Sequence, residues 1–191
     1  MYRLATCFWV SLRTLSPQGL SIAPIIVNDT NIFIDLHSIG LLSQLCDLPY
    51  EIRTVDFVMA EIVDNRQQED MGHLVKEGKI TVESFTAEEL IEIVNEHAAV
   101  SGNLSIPDCS VCYYARKHDI TLLTGDRQLR RYAESHNLTV HGILFIFDEL
   151  VAHSVISPEV AAGKLKELYS INVRLPKSEI QRRIDRWGND T

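Results

Sequence analysis

From Pro24 onward, short apolar runs alternate with longer stretches of helical periodicity, and this alternation constrains the fold more than any other property of the chain. Ile25-Ile26-Val27-Asn28 is a β-branched run of the kind found in strands buried on both faces. Residues 31–47 then show helical spacing, broken at Gly40 and ended by Pro49. Residues 52–55 are a second brief strand candidate. Residues 57–65 read as a helix that turns inward either Phe57, Ala60 and Val63 or Met59 and Ile62. The polar stretch 65–78 reads as a helical excursion or a mobile loop.

The pattern continues beyond it. Residues 79–82 suggest an edge strand. Thr86 with Glu89 three positions later is a capping box, which opens a helix running to about Val100. Residues 105–118 form the next helix, with Pro107 in its first turn, where a missing N–H is harmless. Residues 120–124 are the clearest interior strand, followed by a helix over 126–136, a strand over 138–141 and a helix over 144–153. Strands alternating with helices predict an α/β fold, a three-layer α/β/α sandwich around a central, mainly parallel sheet. The organisation expected is an N-terminal extension over residues 1–23, the α/β domain over 24–155, and a C-terminal helical extension over 156–191 with helices at 158–170 and 177–187.

Composition bears on compartment and partners. A net charge of −8 is unexpected for a protein that approaches a polyanion. Solubility explains that sign simply, and carboxylates that recruit divalent cations explain part of it. The four cysteines are too sparse for a secreted disulfide scaffold. The C-x-x-C spacing of Cys109 and Cys112 falls inside a predicted helix, as buried thiols would. None of the seven histidines lies in a zinc-binding spacing. No stretch reaches the roughly 18 apolar residues of a membrane span. The apolar segment 4–12 runs straight into Arg13 without a cleavage site. The expectation is a cytoplasmic protein with no membrane association.

Four acids stand where an apolar run meets a turn. Asp29 ends the first strand and Asp126 follows the interior strand and Thr124-Gly125, while Asp108 opens a helix and Glu61 lies on an early one. Each has a structural explanation. Asp29 and Asp126 can cap the helices that follow, Asp108 suits the third position of a helix capped by Ser105, and Glu61 can be a solvated helical residue. Taken together they point elsewhere. The carboxyl ends of central parallel strands open onto a shared crevice, and carboxylates gathered there hold Mg²⁺ or Mn²⁺ through oxygen. Such an ion clamps a phosphodiester and activates a water, so the residues themselves read as a metal-dependent nuclease.

The segments IIVNDTNIFIDL, VMAEIVDN, IPDCSVCYYARKHDI and TLLTGDRQLRRYA resemble the four sequence blocks of PIN-domain nucleases, a family that includes the toxin ribonucleases of VapBC-type toxin–antitoxin systems. The resemblance covers roughly residues 24–145. It implies the α/β/α PIN sandwich and a catalytic, metal-binding set of Asp29, Glu61, Asp108 and Asp126, with Asp64 one turn beyond Glu61 as a competing match. It also implies Mg²⁺ or Mn²⁺ as cofactor, an RNA substrate and, for a toxin, an antitoxin partner. Asn31 and Thr124 would fix the carboxylates by hydrogen bonds. Arg127, Arg130 and Arg131, with Arg116 and Lys117, would hold flanking phosphates or else form an ordinary solvated helix face. From Ala161 onward seven basic residues face four acidic ones, suiting a packed amphipathic helix pair or a contact with RNA, a partner or a second copy in a homodimer.

Two other functions are weighed. A non-catalytic PIN-like module would keep the acids for structure and act through a protein or RNA partner. A different α/β enzyme is disfavoured: the segment Asp29-Thr30-Asn31 lacks the Asp-x-Asp of a haloacid-dehalogenase-type phosphatase, and the first turn lacks the glycines of a P-loop or dinucleotide fold.

Overall fold

The computed structural model describes residues 23–100 and 104–189. The expected N-terminal extension, including Cys7, therefore lies almost wholly outside the described residues. In chain order the elements are β1 (Ile25–Asn28), α1 (Thr30–Ser38), α2 (Leu42–Leu45), β2 (Glu51–Val55), α3 (Asp56–Glu61), α4 (Asn65–Lys76), β3 (Ile80–Glu83) and α5 (Ala87–Ala99). There follow α6 (Ile106–His118), β4 (Thr121–Leu123), α7 (Arg127–Ser135), β5 (Val140–His141), α8 (Ile143–Ala152), α9 (Pro158–Ile171) and α10 (Lys177–Asn189).

The five strands form one sheet in the order β3-β2-β1-β4-β5, and every pairing is parallel. The fold is therefore the predicted α/β/α sandwich. Strand order reverses between β1 and β4, so the crevice of an open parallel sheet lies at their carboxyl ends. Register then decides which residues meet there. Asn28 pairs with Leu123, and the Asp29 N–H donates to the Leu123 carbonyl at 3.0 Å. Asp29 and Thr124 consequently leave the sheet side by side.

Several elements depart from their predicted bounds for identifiable reasons. The helical pattern over residues 31–47 is two helices, because Gly40 (φ 68°) turns the chain and lets Leu41 N–H reach the Leu36 carbonyl at 2.9 Å. The helix expected over 57–65 stops at Glu61. Val58 and Ile62 are the buried residues there, whereas Val63 is 83% exposed, so the Phe57/Ala60/Val63 alternative is overturned. Asp64 starts a new helix, accepting from the N–H groups of Arg66 and Gln67 at 3.0 Å each. The polar stretch after it is α4, which docks on the core through buried Met71 and Leu74 with Val75 packed alongside.

Helices on both faces close a single core centred on Val27, Leu122, Leu123, Phe33 and Phe147. Buried Cys109 and Cys112 belong to it, as free thiols. Ala161, Leu165, Leu168, Ile180 and Trp187, from α9 and α10, are buried in the same core. Among the described residues no helix is long and apolar enough to cross a membrane.

Candidate active site

Asp29 occupies the centre of the crevice. It is 3% exposed and caps α1 from extended backbone (φ −82°, ψ 159°). Its Oδ1 accepts the Thr30 N–H at 2.7 Å, and its Oδ2 accepts the Thr124 hydroxyl at 2.7 Å together with the Asn31 side-chain amide. Burial pushes the Asp29 carboxyl up to about 6. The Thr124 hydroxyl opposes that shift, the Asp108 charge adds to it, the Thr30 N–H opposes it, and the Glu61 charge adds to it. The carboxylates of Asp108 and Glu61 are therefore near enough to act on Asp29.

Thr124, fully buried, joins two of the candidate acids: while donating to Asp29 it accepts the Asp126 N–H at 3.0 Å. Asn31 closes the ring from the other side, its Oδ1 accepting the Gly125 N–H at 2.6 Å. A Cβ at position 125 would lie 2.9 Å from that oxygen, so a larger residue there would push the Asn31 amide out of this contact. Glu61 ends α3 and its Oε2 accepts the Thr30 hydroxyl at 2.5 Å. Nothing local in the sequence marks Thr30, since a threonine after a strand-ending aspartate reads only as a helix start. Asp64, the competing match for Glu61, is occupied in capping α4.

The capping explanations also hold as geometry. Asp108 Oδ2 accepts the N–H and the hydroxyl of Ser105 at 2.8 and 2.9 Å, completing a capping box at α6. Asp126 Oδ1 accepts the N–H groups of Gln128 and Leu129 at 2.7 and 2.8 Å. Capping thus engages one oxygen of each. Among the described residues no three His, Cys, Asp or Glu side chains form a ready-made ion cage. What the site does contain is Asp29 with the Asp108 and Glu61 carboxylates in electrostatic reach of it and Asp126 joined through its main-chain N–H to Thr124, an all-oxygen set in which, among the described residues, none of the four has a salt-bridge partner. Other acids do: Glu96 pairs with Arg116 and Asp148 with Arg183, each at 2.6 Å. Hard divalent cations suit such an unneutralised oxygen set, so the donor chemistry fits Mg²⁺ or Mn²⁺.

The expected phosphate anchors divide into two groups. Arg116 makes a two-bond contact with Glu96, and Lys117 pairs with Glu89 at 2.5 Å. Arg130 donates to the carbonyls of Val140 (2.9 Å) and Thr124 (3.3 Å), bracing the turn that carries Thr124. Arg127 and Arg131 are exposed, one turn apart on α7, and have no ion pair among the described residues.

A family model described as a PIN domain (DUF3368) matches residues 25–189. No curated protein matches the chain. Among solved structures it is similar to PAE2754 from Pyrobaculum aerophilum, at 16% identity over 69% of this chain and 99% of that one, with a TM-score of 0.44. It is similar also to VapBC2 from Rickettsia felis bound to a DNA fragment from their promoter (19% identity, 62% and 98% covered, TM-score 0.40). A third is a PilT N-terminus domain protein from Sulfolobus solfataricus P2 (13% identity, 64% and 89% covered, TM-score 0.41).

Proposed function

The chain belongs to the PIN-domain family, and from that premise we propose that it is a divalent-metal-dependent endoribonuclease whose site is Asp29, Glu61, Asp108 and Asp126. One observation carries the reading: a buried carboxylate, Asp29, is loaded by two like-charged neighbours and has no cation among the described residues. Carboxyls pushed up by burial and like charges cluster at functional sites, where a bound cation can supply the balance.

Asp29, Asp108 and Asp126 would hold Mg²⁺ or Mn²⁺, with Glu61 as a further ligand directly or through water. A bound ion of this kind supplies a water of lowered pKa and stabilises charge on the scissile phosphate. The chain's own residues do the positioning. Thr124 and Asn31 hold the Asp29 carboxylate in one rotamer by two donors to Oδ2, and Arg130 fixes the Thr124 turn from behind. Arg127 and Arg131, exposed on α7 and without an ion pair among the described residues, would meet the phosphates beside the scissile bond. A toxin role with a neutralising antitoxin is the finer form of the proposal and rests on the four-block resemblance. A second reading, a non-catalytic partner-binding module, is favoured by one fact: Asp108 and Asp126 each already give an oxygen to a cap.

Cleavage assays with Mn²⁺ and Mg²⁺ on structured and unstructured RNA decide between them. Cleavage that EDTA abolishes and that Asp29→Asn reduces at least about 100-fold, the scale of a lost transition-state electrostatic contact, is the outcome expected. Equal activity in wild type and Asp29→Asn, or none in either, would remove the nuclease proposal.

A further inference from the structure

Glu61 is exposed yet held. It is the last residue of a six-residue helix, and the next residue, Ile62, has already left helical geometry (φ −77°, ψ 104°). A glutamate at such an end ordinarily sweeps through solvent. Here its Oε2 receives the hydroxyl of Thr30 at 2.5 Å, from a residue 8% exposed on another element. The Val58 carbonyl, at 3.4 Å, is the longer of the two acceptors near that hydroxyl, so its one proton goes to Glu61. The backbone N–H of the same threonine donates to Asp29 Oδ1 at 2.7 Å. A single residue therefore grips two carboxylates, one through its main chain and one through its side chain.

We propose that Thr30 is a positioning residue that fixes Glu61 relative to Asp29 so that the two acids serve one divalent-cation site, an inference that rests on the metal-dependent reading above. The backbone half of the grip belongs to any residue at position 30, whereas the Glu61 half requires a hydroxyl. Thr30→Val keeps the side-chain shape and the N–H to Asp29 and deletes only the bond to Glu61. Thr30→Ser restores it.

The experiment is calorimetric titration of the full chain with MnCl₂, alongside melting of the metal-free proteins in EDTA. Thr30→Val is expected to weaken Mn²⁺ binding by roughly 5- to 20-fold, Thr30→Ser by less than about threefold, and Thr30→Val on a Glu61→Gln background by less than about twofold more, because coupled residues do not add. Thr30→Ala carries the same expectation as valine and stands in for it should valine disturb folding. The inference is overturned if the hydroxyl-free variants bind Mn²⁺ as wild type does while only their metal-free melting falls, which is the mark of a plain tether between α1 and α3. It is overturned too if the effects of Thr30→Val and Glu61→Gln simply multiply. A wild-type chain that binds no Mn²⁺ overturns the metal-dependent reading itself, a result distinct from both.

Discussion

Asp29 makes the metal-free protein pH-sensitive in a calculable direction. Its carboxyl titrates near 6 in the fold against 3.8 ordinarily, chiefly through burial. The folded state therefore holds that proton more tightly than the unfolded chain does. The stability this confers is complete below about pH 4 and is lost as pH rises through about 6, a change of roughly 3 kcal/mol for a shift of about two units. In EDTA, urea unfolding of wild type should show that decline between about pH 4 and 6.5, and Asp29→Asn should lack it. Parallel profiles for the two proteins would show that the carboxyl is not loaded. One residue earlier, Asn28 is fully buried in the interior strand, its Oδ1 has no hydrogen-bond partner among the described residues, and its amide lies 3.5 Å from the Arg53 carbonyl. An orphaned buried acceptor costs roughly 1–3 kcal/mol. Asn28→Val, β-branched and apolar, is expected to raise stability by about 1 kcal/mol in chemical denaturation, and a loss of that size would mean the oxygen is satisfied in solution.

At the scale of elements, the caps separate structure from chemistry at Asp108. Its Oδ2 completes the capping box of α6 by accepting the Ser105 N–H and hydroxyl, a task an asparagine oxygen also performs and an alanine cannot. Asp108→Ala should therefore lose about 1 kcal/mol of metal-free stability and Asp108→Asn much less, while both lose stabilisation by Mn²⁺. Thermal melts with and without MnCl₂ check this, and a mutant that melts lower but keeps its Mn²⁺ shift would assign Asp108 to capping alone. Elements of this kind were readable because their signals are local. The boxes at Thr86 and Ser105, the apolar runs of β1 and β4 and the turn at Gly40 all lie within a few residues. The helix expected over 57–65 is shorter because its apolar pattern runs on past Glu61, whereas the chain breaks where Asp64 caps α4. Asp29, Asp108 and Asp126 stand out in the sequence for the same local reason, as each ends a strand or begins a helix, whereas Glu61, at the end of α3, is marked only by the resemblance. The grip of Thr30 on Glu61, 31 residues away, and the capture of Arg116 and Lys117 by Glu96 and Glu89 on α5 were not, because a tertiary partner leaves no mark on sequence spacing.

For the whole molecule, the question is whether α9 and α10 are an appendage or part of the folding unit. Sequence periodicity stops at the end of a helix and cannot say which surface a helix covers. In the structure Trp187 is 2% exposed, its ring centroid 6.4 Å from that of Phe147 on α8, and Arg183 beside it is fixed to Asp148 by three contacts of 2.6 to 3.2 Å. The family model likewise runs through residue 189 rather than ending near β5. A core shared in this way cannot lose one side and keep the other at full stability. Trp187→Ala should cost about 3–5 kcal/mol, the range for deleting a buried aromatic ring. Because the site hangs from β1 and β4 of the same core, the loss should appear as one cooperative transition shifted to lower denaturant. Circular dichroism across a urea series reads this directly. Two resolved transitions, the first confined to helical signal and leaving Mn²⁺ binding intact, would instead make the C-terminal helices a separable layer.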